Sequence, residues 1–130
     1  MKTRYTSALV TATAILMASS AAYAGCTGAQ ISGVWEAAFS DGNSCRFKIN
    51  ANGNIAAAKS VCFDPSAGSI APDSGSLVVS GNCLAEGSFT VLGATIELAI
   101  QFATDRNTGG GRYLYQVGGE KGNVIMIRVP

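Results

Sequence analysis

The chain has 130 residues, four of them cysteine and none histidine, and its formal net charge is +1. So small a charge provides no basic field to draw in nucleic acid or anionic lipid. Without histidine there is no Ser-His or Cys-His nucleophile pair and no imidazole for a metal site.

The chain begins with the three-part pattern of a secretory signal peptide. Lys2 and Arg4 charge the N-terminus, a small-residue apolar run extends from about Ala8 to Met17, and Ala22-Tyr23-Ala24 offers small residues where a signal peptidase reads. The expectation is cleavage after Ala24, leaving Gly25–Pro130 as a single secreted or periplasmic domain. Losing Lys2 and Arg4 from nine Lys/Arg leaves seven against eight Asp/Glu, a net charge of −1. Tyr23-Ala24-Gly25-Cys26 also resembles a bacterial lipobox, in which the cysteine is lipidated. That family prefers leucine where Tyr23 stands, and lipidating Cys26 would leave an odd number of cysteines. Ordinary cleavage is therefore favoured over a lipid anchor. The mature part has no apolar run of the roughly 20 residues that a spanning helix needs.

Cys26, Cys45, Cys62 and Cys83 read as two disulfides, because an even number in a short exported chain is the usual sign of a bridged framework. Spacings of 19, 17 and 21 residues lack the close pairs of a zinc site. No metal or other cofactor is expected.

After residue 30 no apolar period of 3.6 residues holds for three turns. Short β-branched and aromatic runs alternate instead with Gly, Asn and Asp. Strands are predicted at Ile31–Phe39, Cys45–Asn50, Asn54–Phe63, Ser76–Ser80, Cys83–Val91, Thr95–Thr104, Arg112–Val117 and Asn123–Val129. Asn52-Gly53 is the strongest turn signal, since a two-residue hairpin needs positive φ at both positions. Asp41-Gly42-Asn43, Gly81-Asn82, Leu92-Gly93-Ala94, Asn107 to Gly111 and Gly118 to Gly122 read as the other turns. Asp64–Gly75, with Pro65 and Pro72, reads as one long loop.

Alternation assigns the faces. Ile96, Leu98, Ile100 and Phe102 point one way, and Glu97 and Gln101 the other. Phe47 and Ile49 likewise oppose Arg46 and Lys48. Such half-apolar strands suit a sheet with one buried face. Eight of them joined by short turns predict an all-β, eight-stranded antiparallel up-and-down β-barrel, with a two-sheet β-sandwich as the alternative. A two-residue turn at Asn52-Gly53 would set Cys45 opposite Ser60, with Cys62 one step along the same face. That predicts Cys45–Cys62 as a diagonal pair and leaves Cys26–Cys83 as the second bond.

Gly33-Val34-Trp35 in the first strand and Arg128 in the last resemble the calycin signature of lipocalins and related barrels, including the smaller avidin-like ones. The resemblance covers the two ends and the strand count. It implies that the Trp35 indole crosses the barrel floor beneath the Arg128 guanidinium, with Gly33, Trp35 and Arg128 closing the barrel. A second, local resemblance is to the periplasmic C-type lysozyme inhibitors, through Gly111-Arg112-Tyr113 and Lys121-Gly122. Here glycine replaces that family's serine, and Gly119-Glu120 stands where its tryptophan is expected. The alternative is two glycine-rich turns with flanking charges.

Glu36, Glu86 and Glu97 fall on outward faces and the aspartates in turns, where solvated acids normally lie, so no catalytic pair is read and the protein is not expected to be an enzyme. The leading expectation is an exported barrel that binds an apolar or amphipathic small molecule at its open end. Phe39, Phe47, Phe89, Phe102, Tyr113 and Tyr115 are the candidate lining residues. Its rival is an inhibitor of a cell-wall hydrolase that presents Arg112, Tyr113 and Lys121 to a protein partner. A surface-assembly subunit that adds strands across an open edge is the third reading.

Overall fold

The computed structural model describes residues 26–130; the expected signal peptide and Tyr23–Gly25 lie outside the described residues. A single helical turn, α1 (Gly28–Ile31), leads into β1 (Gly33–Phe39) and β2 (Ser44–Ile49). A 3-10 turn at Ala57–Lys59 precedes β3 (Val61–Asp64), β4 (Gly68–Ile70) and β5 (Ser74–Val79). Four longer strands complete the chain: β6 (Leu84–Val91), β7 (Ala94–Phe102), β8 (Thr108–Tyr115) and β9 (Lys121–Arg128). All pair antiparallel in one sheet of order β4-β3-β2-β1-β9-β8-β7-β6-β5.

This one sheet has nine strands rather than the expected eight; it curls into an all-β, barrel-like fold, as expected, and among the described residues there is no second sheet for a sandwich. β1 and β9, at opposite ends of the chain, join through a five-pair ladder from Trp35↔Arg128 to Phe39↔Val124. The other seam is closed by the few residues after β2. Ile55 bridges to Ile49 of β2, and Asn54 bridges to Ser76 of β5. The Ile55 amide donates to the Gly75 carbonyl at 2.9 Å, and the Leu77 amide donates to the Gly53 carbonyl at 2.9 Å. Gly53 must be glycine there: its φ is +88°, and a Cβ would sit 2.0 Å from the Leu77 carbonyl oxygen. The wall therefore runs through eight positions, one of them this short segment, while β3 and β4 form a hairpin on the far half of β2.

That arrangement corrects the predicted strand Asn54–Phe63. The turn after β2 has three residues, not two: the Gly53 amide donates to the Asn50 carbonyl, and the Asn50 amide donates to the Asn54 carbonyl. The 3-10 turn then interrupts the strand and shifts the register. Cys45 pairs directly with Cys62 rather than diagonally. The disulfides are Cys45–Cys62 and Cys26–Cys83, a pairing that suits an oxidising compartment. Asp64–Gly75 is not wholly loop, since β4 lies within it. Asn107 to Gly111 is not a turn either. Gly109, Gly110 and Gly111 belong to β8, and Gly109 leaves room for Ile100 and Phe102. Ile31 ends a helical turn instead of starting a strand.

The interior is filled by the chain's own side chains. Trp35, Phe47, Phe89, Phe102, Ile49, Ile100, Val124 and Met126 are essentially inaccessible to solvent. At roughly 1.5–3 kcal/mol per large side chain, their burial dominates the favourable side of folding. Edge-to-face contacts link them: Trp35 with Phe102 at 4.9 Å and Phe47 with Phe89 at 5.0 Å between ring centroids. Ala85 is buried, whereas Ala58 is exposed and Ala56 half-exposed.

The end of the barrel that holds both termini of the described chain is sealed. The Trp35 indole donates to the Ile31 carbonyl at 2.8 Å, and the Arg128 Cζ lies 4.5 Å from the indole centroid. The guanidinium donates to three carbonyls, those of Gln30 (2.6 Å), Ser32 and Arg106 (2.8 and 3.0 Å). Gly33, at φ +134°, has no Cβ to meet the Arg128 Nη1, which would lie 2.8 Å from it. Cys26–Cys83 pins α1 to the β5–β6 turn at this same end.

A candidate binding site at the open end of the barrel

The opposite end carries the β1–β2, β3–β4, β6–β7 and β8–β9 turns and is not sealed. The seam segment Gly53–Ala56 reaches only part of the way up the wall. Above it, the β3–β4 hairpin stands on one side and the β6–β7 turn on the other. Between them is a cleft of about 190 Å³. Its floor is core: Phe39 from β1, Phe89 from β6 and Ile96 from β7. Its sides are Ile70 of β4, Val91 of β6, Leu92, and the Cys45–Cys62 disulfide. Asn43, Asp64 and Tyr115 contribute its polar groups.

Local sequence explains how these groups are held. The Asp41 carboxylate accepts from the Asn43 amide at 3.0 Å and so fixes the β1–β2 turn. Asp41 Oδ2 also accepts from the Tyr115 hydroxyl at 3.3 Å, and the Asn43 side chain donates to that hydroxyl at 3.4 Å. Burial, then the Asp41 charge, push the Tyr115 pKa up. On β3, which pairs with β2 beside that turn, Asp64 accepts from the Ser66 hydroxyl and the amides of Ser66 and Ala67 at 2.5–3.0 Å. The Ser66 side chain and these amides hold its pKa below the usual carboxylate value. Asp64 is therefore an anion at neutral pH.

Leu92 is the least expected residue on the rim. With Gly93 it forms a two-residue turn in which both residues have positive φ, 50° and 76°. Asn-Gly is the usual choice for such a turn, and a leucine in the left-handed region costs on the order of 1 kcal/mol. Leu92 is also 73% exposed. Strain of this kind concentrates at ligand clamps.

The six lining candidates divide by depth. Phe39, Phe89 and Tyr115 are at the cleft, while Phe47, Phe102 and Tyr113 are buried in the packed interior away from it. For those three, the correction is that the barrel is solid below its mouth: Phe47 is locked against Phe89, Phe102 against Trp35, and Tyr113 against Phe39. Alternation showed that all six face inward but carried no information about depth. Asn43, Phe63, Ile70 and Leu92 also line the cleft, and the sequence pattern does not mark them as site residues. A leucine before glycine in a tight hairpin was the one signal that could have pointed to Leu92.

The alternative partner residues also separate. Arg112 and Lys121 are exposed on the outer wall, diagonal across β8 and β9, where Arg112 is opposite Asn123 and Leu114 opposite Lys121. They line a shallow outer groove of about 850 Å³ with Glu86 and Glu97. Tyr113 points the other way, 3% exposed, because alternation turns the residue after Arg112 into the barrel. Tyr113 borders the groove, but its buried side chain is not presented there with those of Arg112 and Lys121. Glu36, the other outward glutamate, pairs with Arg46.

The chain matches no protein family's sequence pattern, and no curated protein matches it in sequence.

Proposed function

We propose that this is an exported protein, secreted or periplasmic, that holds a small apolar or amphipathic molecule in the open-end cleft. One observation carries the reading. The wall is interrupted where Phe39, Phe89 and Ile96 come up from the core, and the gap is flanked by a strained, exposed leucine. The reading keeps the small-ligand expectation but moves the ligand from the barrel interior to its mouth. A volume of about 190 Å³ is below the several hundred Å³ of drug-sized sites. The occupant is a short chain or single ring, or such a group on a larger molecule.

The test is a titration of the isotopically labelled, disulfide-bonded protein with hexanol, followed by two-dimensional NMR. Shifts centred on Phe39, Phe89, Leu92 and Tyr115, with Trp35 and Met126 silent, support the proposal. Shifts scattered over the outer wall, or none, refute it.

A second reading rests on Arg112 and Lys121, which are adjacent and exposed in the outer groove as an inhibitor of an acidic hydrolase cleft would need. Lys121→Ala would then abolish inhibition of a cell-wall hydrolase while leaving the fold intact. The assembly-subunit reading draws less support, because the seam between β2 and β5 is bridged and β4 offers only three residues of edge.

A further inference from the structure

The cleft is apolar within and acidic around its mouth. Asp64 lines it, and Asp41 touches it through the Tyr115 hydroxyl at 3.3 Å. Two further acids stand at the same end. The Asp73 amide donates to the carbonyl of Thr90, next to Phe89 and Val91, at 2.7 Å. The Glu120 carbonyl accepts from the Tyr115 amide at 2.8 Å. Among the described residues the only ion pair is Arg46–Glu36, so none of these four carboxylates is neutralised by a partner. No lysine or arginine lines the cleft, and Arg112 and Lys121 stand on the outer wall. Asp41 and Glu120 both act to raise the Tyr115 pKa, after the larger effect of burial, and no cation acts in the other direction. Lys121, which begins β9 beside Glu120, is a cation at this end, and the four carboxylates outnumber it.

We infer that the occupant of the cleft is a small cationic amphiphile. Its apolar body lies over Phe39, Phe89 and Ile96, and its positive head lies between Asp41, Asp64 and Tyr115. This rests on the open-end reading above and adds the sign of the ligand's charge. The chemistry is complementary at both ends. Burying a short chain on the aromatic floor removes apolar area from water. A cation at the rim meets two carboxylates and the face of a half-buried tyrosine, which attracts positive charge through its quadrupole. A carboxylate-bearing molecule of the same shape would instead meet like charge.

The experiment compares hexylamine, hexanol and hexanoate against the disulfide-bonded protein at neutral pH by NMR titration. Hexylammonium is expected to bind about fivefold to tenfold more tightly than hexanol, and hexanoate more weakly than either. The amine-to-alcohol ratio should shrink as salt screens the rim. It should shrink also in Asp41→Asn and Asp64→Asn, each of which keeps a side chain able to hold its turn. If hexanol binds at the cleft while hexylammonium binds no better, the charge inference is overturned and the open-end reading stands. If hexanoate binds best, the inference is overturned outright. If none of the three shifts Phe39, Leu92 or Tyr115, the site reading itself fails.

Discussion

Arg128 lies over the Trp35 ring, its Cζ 4.5 Å from the indole centroid, and the same two residues are Cα partners in the β1–β9 ladder. The first and last strands are thus joined twice, by backbone and by side chain. Among the described residues the guanidinium pairs with no carboxylate, and it spends its donors on the carbonyls of Gln30, Ser32 and Arg106. Arg106 sits at φ 57°, which belongs to the tight β7–β8 turn that presents its carbonyl. One side chain therefore holds α1, the β7–β8 turn and both terminal strands.

Arg128→Met keeps most of the apolar stem but removes every one of these donations. It is expected to cost about 2–3 kcal/mol, the range for hydrogen bonds to a charged group with partly buried acceptors left behind. Arg128→Lys recovers only part of this, because an ammonium cannot reach three carbonyls in one plane. Urea unfolding of the three proteins measures the order wild type, Lys, Met. Equal midpoints would show that the clamp adds nothing.

The two disulfides should contribute unequally. Cys26 and Cys83 are 57 residues apart, Cys45 and Cys62 only 17. Loop-closure entropy assigns about 4 kcal/mol to the first bond and about 3 to the second. The second joins residues already held opposite each other in the β2–β3 ladder. Paired serine substitutions, compared by urea denaturation, should make loss of Cys26–Cys83 the more damaging.

Gly53→Ala is expected to open the seam between β2 and β5. The new methyl group meets the Leu77 carbonyl, and φ +88° disfavours any Cβ. The expected loss is roughly 2–4 kcal/mol. Amide exchange localises it: Ile55 and Leu77, which donate across the seam, should lose protection before the β1–β9 ladder does. Uniform loss along all strands would contradict the seam assignment.

Tyr115 sets a pH dependence. Its pKa is raised in the folded state, chiefly by burial and then by Asp41, so the fold favours the neutral hydroxyl. That contribution is fully present below the unfolded tyrosine pKa of about 10 and is lost as pH rises through the higher folded value. Tyr115→Phe, with nothing to ionise, should therefore lose less stability than wild type over that rise. Thermal unfolding at a series of alkaline pH values gives the comparison, and parallel curves would contradict it.

Much of the wall was legible because its signal is local. Ile96, Leu98, Ile100 and Phe102 alternate with polar neighbours, and one buried face fixes their direction whatever the rest of the chain does. Asn52-Gly53 marked the right turn but not its length. Whether two or three residues close a hairpin depends on what Gly53 packs against, here Leu77 of a distant strand. The broken third strand and the direct Cys45–Cys62 pairing follow from the 3-10 turn at Ala57–Lys59, which resets the register of β3. The glycines of β8 read as a turn because nothing in the sequence shows the Phe102 ring that needs the space at Gly109 or the Ala99 carbonyl that needs it at Gly111. The site was half legible for a related reason. Periodicity says that Phe39 and Phe102 both face inward, but only the tertiary closure at Arg128 and the gap beside Leu92 decide which end is open.

The central claim is that the molecule binds at the gap beside Leu92, and filling that gap tests it most directly. Ala94 lines the cleft next to the Leu92-Gly93 turn, and Ala94→Phe would occupy the space of the ligand's apolar body. Ala94→Leu serves as the milder filling. The measurement is hexanol affinity of these variants by NMR titration, with thermal unfolding confirming that each is folded. The account predicts that a folded variant loses at least tenfold in affinity, about 1.4 kcal/mol or more. A folded variant that binds hexanol as wild type does would place the ligand elsewhere and contradict the account.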